Sequence, residues 1–349
     1  MKALTFQGKE KISFETIPDP EIIHSTDVIV QVKACAICGS DLHVYHEHEK
    51  GIDHGTAMGH EFAGEIVSIG KDVRTHRVGD LVMSPFTTSC GRCYYCLIGL
   101  TARCLHSQLF GWVEDGNGLH GGQAELVRVP QADGTLLKLP EGISITEGLL
   151  LGDILSTGFF CAHQAGIQRN GTYVVVGCGP VGLMAILGAR EAGAERIFAV
   201  DDLPERLRMA KQFGAIPFGR MDPAFKPHIL EATDGRGADA VLEAVGSGSA
   251  VKLAVDLVRP GGTVSSVGVC TDAHMAFSPV EAYNKNLTYK IGRCPARYMM
   301  EQLIPMVQQK KYDITAVFSH TLSLEEGVHG YDIFANKKDN CLKVLLQPT

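Results

Sequence analysis

Four cysteines, Cys90, Cys93, Cys96 and Cys104, fall within the fifteen residues CGRCYYCLIGLTARC. Their spacing, C-x2-C-x2-C-x7-C, supplies four soft donors and no open position, which is how a tetrahedral structural zinc is enclosed. An iron–sulfur cluster and a redox disulfide pair are the competing uses of sulfurs this close. A looser set comprises Cys38 in CAICGSDLH, His60 in GHEFAGEIVSIG, where Glu61 follows it, and Asp153 in LGDILSTG. Singly, such residues are more often simply packed. Together they offer one thiolate, one imidazole and one carboxylate, leaving a fourth tetrahedral position for a water or an alkoxide. On this reading the cysteine loop holds shape and the second set performs the chemistry.

A third pattern is GCGPVG, with Gly177, Gly179, Pro180, Val181 and Gly182 following the β-branched run YVVVG and opening a helical stretch. Gly177 suits a tight turn, Gly179 a close approach of backbone to a pyrophosphate, and Gly182 a helix-to-strand contact. Asp201 ends the next strand pattern, 19 residues after Gly182. There it would accept hydrogen bonds from the adenosine ribose and repel a 2′-phosphate, which favours NAD over NADP. Arg206 lies more than a helical turn further on and reads as a second ribose contact; the competing use of the glycine turn is packing alone.

These groups must be held by something, and 349 residues suffice for about two domains. The first 150 residues carry short β patterns such as DVIVQVKACAI, EFAGEIVSIG and AELVRVP between Gly, Pro and Asp, as in a mostly antiparallel, partly closed β fold. From about Ile154 strands alternate with helices: YVVVG, VGLMAILGAREAGA, RIFAV, PERLRMAKQFGA, ADAVLEAV, SAVKLAVDLVRP, GTVSSVGV. That alternation implies a parallel sheet with helices on both faces. After about Ile291 a helix ARYMMEQLIPMVQQK, the segment SLEEGVHGYDIFANK and the strand CLKVLLQ are expected to return to the first domain. The chain is therefore divided into 1–153 with 291–349, and 154–290.

Composition narrows the function classes. Lys plus Arg number 32 against 39 Asp plus Glu, and no basic run is present, so nucleic acid is not an expected partner. The uncharged stretch 170–189 is about the length of a membrane span, but five glycines and a proline make it a buried strand-turn-helix, so no membrane partner is expected. The N-terminus lacks an apolar core with a cleavage site, so a cytoplasmic location is expected. Eleven cysteines with one tight cluster fit metal in a reducing compartment better than disulfides.

GHEFAGEIVSIGKDV, CGSDLH, the Cys90–Cys104 spacing and the glycine fingerprint together resemble the zinc-dependent medium-chain alcohol dehydrogenases, across essentially the whole chain. SPFTTSCGRCYYC, FGWVEDGNGLHGGQAELVRVPQAD and GDILSTGF look most like the formaldehyde-dehydrogenase-like branch. The resemblance implies an α/β chain with a GroES-like partly closed β-barrel catalytic domain and a Rossmann domain, two zincs per chain and NAD as cofactor. Catalytic zinc would sit on Cys38, His60 and Asp153, the last replacing a cysteine of liver-type enzymes, with Glu61 beside it as a transient ligand. Asp41 matches a carboxylate that orients the histidine ligand. Ser40 matches a hydroxyl that takes the substrate proton and passes it on towards His43; capping a helix and contacting cofactor are their respective alternatives.

By the same matching Thr157 backs the nicotinamide ring, Val267, Gly268 and Val269 present backbone groups to its carboxamide, and Lys343 meets the pyrophosphate. Phe86 and Trp112, the single tryptophan, are expected pocket walls, with core packing as the alternative. His46, His48 and His54 read as a polar loop at the pocket rim. The expected reaction is reversible hydride transfer between an alcohol, aldehyde or ketone and NAD. A polyol or diol dehydrogenase is a variant, although sugar-alcohol relatives usually have glutamate where Asp153 stands; a non-catalytic zinc protein retaining the fold is the alternative from another class. The chain is shorter than the dismutating formaldehyde dehydrogenases and lacks their insertions, so NAD is expected to exchange. Relatives suggest a homotetramer, with a homodimer possible.

Overall fold

The structure is a computed structural model that describes residues 1–348. It divides into two compact units, Met1–Ser156 with Pro295–Thr349, and Thr157–Cys294.

In the first unit Val28–Ile37 and Glu61–Ile69 form the central antiparallel pair, extended through Leu81–Met83 and Leu137–Lys138 on one side. Leu126–Val129 also pairs with Val28–Ile37. Alternating residues of these strands bury Val28, Val30, Val32, Phe62 and Ile66 in one core. The C-terminal tail returns here: Val344–Gln347 pairs antiparallel with Val28–Ile37, Val344 opposite Ile37, and His320–Ser323 adds beyond it. SLEEGVHGYDIFANK supplies the helix Gly327–Ala335, whose Tyr331, Ile333 and Phe334 join the same core.

The second unit is a six-stranded, all-parallel sheet. Its order is Ile216–Gly219, Arg196–Asp201, Thr172–Val176, Ala238–Glu243, Val258–Ser266, Thr288–Ile291. The strand order reverses between Thr172–Val176 and Ala238–Glu243, which in doubly wound sheets creates the crevice at strand C-termini where dinucleotides bind. The apolar stretch 170–189 is the strand Thr172–Val176 and the helix Pro180–Glu191. Among the described residues no single helix is long and apolar enough to cross a membrane. One boundary differs from expectation: the helix Gly248–Leu257 stops before VRP, and Val258 already belongs to the next strand. Pro260 follows two residues later, where a helix could not accommodate it. The strands Ile216–Gly219 and Thr288–Ile291 are only four residues each, the first interrupted by Pro217 and the second mixed in polarity, so no alternation announces them.

Candidate metal and cofactor sites

Strand register assembles the first site. Ala36 faces Glu61 across one ladder and Ile37 faces Val344 across the other. Cys38 leaves one strand end, His60 and Glu61 enter the second strand, and Lys343 precedes the third. Asp153 arrives from elsewhere, as the C-cap of the helix Ile145–Gly152. A capping box at the other end, with Ser144 and Glu147 each bonding the other's backbone N–H, fixes where that helix begins. Ligand atoms of Cys38, His60, Glu61 and Asp153 all lie within 4.8 Å of one another, and all four residues are buried.

The donor set fits zinc. Cys38 Sγ lies 3.4 Å from Asp153 Oδ2, and His60 Nε2 lies 3.3 Å from the same oxygen. Metal–ligand bonds of about 2.1 Å in a tetrahedron require edges of about 3.4 Å. His60 Nδ1 faces Asp41 Oδ1 at 3.1 Å, which leaves Nε2 for a metal. Ser40 Oγ sits on the same donors, 3.3 Å from Cys38 Sγ and 3.2 Å from His60 Nε2. Ser40 also occupies the N-cap of Asp41–Tyr45, but its side chain makes no cap hydrogen bond. His43 follows on that helix, its Nδ1 buried and without a hydrogen-bond partner among the described residues. Phe86 stands edge-on to His60 with ring centroids 6.3 Å apart.

Charge in this cluster is strongly interdependent. Burial, then the Asp153 charge, pushes the Cys38 thiol up to about 11. Burial alone would lower His60, but Asp41 and Cys38 outweigh it and raise the imidazole well above its ordinary value. Burial pushes the Asp153 carboxyl up, yet the hydrogen bond and charge of His60 hold it well below the usual carboxylate range. Glu61 is raised to about 7, burial prevailing over the attraction of Lys343.

Lys343 corrects an expectation. Its side chain is 1% exposed, and Nζ pairs with Glu61 Oε2 at 2.7 Å and donates to the Ile37 carbonyl at 3.3 Å. The ammonium is the counter-ion of Glu61 rather than a free group for pyrophosphate. The lone charge in CLKVLLQ was the signal: an ionic group in a buried apolar segment needs a partner. Trp112 sits in the hairpin formed by Trp112–Glu114 and Asn117–Leu119, packed on the core with its indole N–H donated to Glu114 at 3.3 Å. It is partly buried, one side against the core.

Cys90, Cys93, Cys96 and Cys104 likewise converge within 4.8 Å. Sγ of Cys93 and Cys96 are 3.6 Å apart, against about 3.8 Å expected between thiolates sharing a zinc. Backbone N–H groups of Cys90 and His106 donate to Cys104 Sγ, and that of Cys93 to Cys90 Sγ. Such donors suit thiolates. The turn Tyr94–Leu97 within this loop buries no residue, so apolar packing contributes little to holding that turn.

In the second unit Gly177 adopts φ +89°, and a Cβ on Gly182 would lie 1.8 Å from the Gly177 carbonyl oxygen. Both positions demand glycine. A Cβ on Gly179 would meet nothing nearer than Arg206 Nη1 at 3.7 Å, so space remains over the turn for a phosphate. Pro180 and Val181 open the helix Pro180–Glu191, whose free N-terminal amides suit an anion. Asp201 Oδ2 accepts the Cys178 N–H at 2.8 Å and lies 3.6 Å from Arg206 Nη1, while Oδ1 accepts from Asp202 and Leu203. The carboxylate therefore braces the turn as well as ending its strand. Val267 and Gly268 donate their N–H groups to the Glu243 carbonyl, and Val269 is exposed beyond them. Thr157 is buried in the helix Ile154–Ala165.

Residues 24–141 match the family "Alcohol dehydrogenase GroES-like domain", and residues 180–309 match "Zinc-binding dehydrogenase". The chain is 40% identical to the zinc-type alcohol dehydrogenase B of Aspergillus flavus, over 99% of this chain and 80% of that protein. It is 34% identical to the NADP-dependent isopropanol dehydrogenase of Thermoanaerobacter brockii, over 84% of each. The solved structure of alcohol dehydrogenase TADH from Thermus sp. ATN1 superposes with a TM-score of 0.93 at 36% identity, over the whole of both chains. Fold and donor set thus define a zinc-type dehydrogenase with a GroES-like and a Rossmann-like part. The chain belongs to the zinc-type medium-chain alcohol dehydrogenase family, and it is an NAD(P)-dependent alcohol oxidoreductase.

Proposed function

We propose that the protein oxidises an alcohol, or reduces the matching aldehyde or ketone, with NAD as the hydride carrier and two zincs per chain, one on Cys38, His60 and Asp153 and one on the four cysteines. The observation that carries this is the convergence of the Cys38, His60, Glu61 and Asp153 donors from separate segments of the chain. When bound, zinc supplies a Lewis acid for the alcohol oxygen and the dinucleotide a hydride acceptor.

The chain's own groups do the rest. Asp41 fixes the His60 ring, and Phe86 walls it off from water. Ser40 Oγ takes the proton leaving the substrate hydroxyl. His43, held below the ordinary imidazole range first by burial, is neutral near pH 7 and suited to hold that proton and release it. Glu61, balanced by Lys343, stands ready as an additional donor when ligands exchange. Gly177, Gly179 and Gly182 seat the pyrophosphate, with Pro180 and Val181 opening the helix beneath it. Asp201 and Arg206 contact the adenosine ribose, while Thr157 and Val267, Gly268 and Val269 hold the nicotinamide end.

The SPFTTSCGRCYYC, FGWVEDGNGLHGGQAELVRVPQAD and GDILSTGF segments favour the formaldehyde-dehydrogenase-like branch, with freely exchanging NAD. A cytoplasmic homotetramer is the proposed state, with a homodimer as the smaller alternative; an open sheet edge at Thr288–Ile291 with exposed Val280, Tyr283 and Ile291 supports self-association. The test is Cys38→Ser. Turnover of a panel of alcohols should vanish while NADH binding and the four-cysteine zinc persist; undiminished turnover would overturn the assignment.

A further inference from the structure

Asp41 is not the end of the chain of contacts behind His60. Its Oδ2 accepts two hydrogen bonds, from the Cys38 N–H at 2.9 Å and from Gln123 Nε2 at 3.2 Å. That oxygen is thereby engaged, and Oδ1 is left for the His60 ring. Gln123 Nε2 also donates to the Ala36 carbonyl at 3.1 Å, and Gln123 Oε1 accepts from Tyr331 Oη at 2.9 Å. With its NH2 between two acceptors and its oxygen facing a hydroxyl donor, the amide has one satisfactory orientation; turning it over would set its oxygen against a carboxylate and a carbonyl.

Backbone contacts deliver these groups. The Gln123 N–H donates to the Met58 carbonyl and the Gly122 N–H to the Gly59 carbonyl, so residues 122–123 run alongside the segment that enters His60. Gly59 has φ +87°, and a Cβ there would lie 2.4 Å from Gln123 Cγ. The residue before the histidine is thus emptied of side chain to admit the glutamine. Tyr331 comes from the C-terminal helix Gly327–Ala335. Gln123 is 0% and Tyr331 1% exposed, so no water competes for these bonds.

We propose that Gln123 and Tyr331 are positioning residues for the metal ligand His60: they hold Asp41 in the rotamer that keeps the proton on Nδ1 and aims Nε2 into the donor cluster. The inference rests on the reading that Cys38, His60 and Asp153 hold zinc. Partners one shell behind a ligand typically change metal affinity by about 10- to 100-fold, and an effect through one further residue should fall towards the lower end.

The experiment is chelator-driven zinc release from the holoenzyme, followed with a chromogenic chelator, for wild type, Gln123→Met, Tyr331→Phe and the double variant. The four-cysteine zinc, which none of these residues touches, serves as the internal reference. Gln123→Met should speed release of the Cys38/His60/Asp153 zinc by about tenfold and leave the other phase unchanged. Tyr331→Phe should act in the same direction and less, and the double variant should release no faster than Gln123→Met, because the two act in series. Catalytic-site release at the wild-type rate in both single variants would overturn the proposal, as would equal acceleration of both phases, which marks general loosening. A wild-type enzyme that yields only the four-cysteine zinc would instead overturn the catalytic-zinc reading itself.

Discussion

Asp153 places a hard oxygen beside a thiolate and an imidazole, and the three groups differ in the protons they must lose. The Cys38 thiol lies up at about 11 through burial, and His60 is raised by Asp41 and Cys38. A metal can use neither until its proton leaves. Loading zinc into the metal-free protein near pH 7 should therefore release about two protons at this site, and affinity should fall as pH falls, because protons then compete more strongly. Calorimetric titration in buffers of differing ionisation enthalpy reads both. Asp201 has a different double duty. Its charge faces Arg206 and its oxygens hold the glycine turn, so Asp201→Asn should lower kcat/KM with NAD by about tenfold while reducing the preference over NADP. Steady-state kinetics with the two cofactors decides; an unchanged ratio would remove Asp201 from cofactor selection.

The helix Ile145–Gly152 shows how an ordinary element sets a chemical group. Ser144 and Glu147 fix its start, and Asp153 projects from its end. Glu147 also pairs with Lys310. Burial would raise the Glu147 carboxyl, but Lys310 and the Ser144 backbone outweigh it and hold it below its ordinary 4.5. A depressed carboxyl stabilises the fold at pH above its unfolded value and loses that contribution as pH falls through the folded one. The stability deficit of Glu147→Gln in urea should be full near about pH 7 and shrink towards about pH 4. A deficit independent of pH would mean that the cap alone matters. In the other unit a methyl at Gly182 would collide with rigid backbone. Gly182→Ala should abolish NADH binding, measured by fluorescence, while the metal content stays that of the wild type.

At the scale of the whole molecule, each unit carries its own core and its own chemistry: metal donors in one, the glycine turn in the other. The sheet of the second unit ends on Thr288–Ile291 with unpaired backbone and Ile291 52% exposed. An open edge with an exposed apolar side chain favours pairing with another chain, and a second charge beside Lys290 opposes it. Ile291→Lys should lower the mass found by light scattering without loss of zinc; an unchanged mass would place the contact elsewhere.

Local order in the chain was enough for the fold class, because periods of two and of 3.6 and the breaks between them are properties of neighbouring residues. It was also enough to single out the four-cysteine loop and the glycine turn, whose parts lie within a few residues of one another. The partners of Lys343, the packing of Trp112 and the chain from Tyr331 through Gln123 to Asp41 were decided only by tertiary structure. Strand register set Val344 opposite Ile37 and brought an ammonium to Glu61, across 282 residues of sequence. No local pattern encodes such a meeting, since a buried charge reveals that it needs a partner but not which one the folded chain supplies.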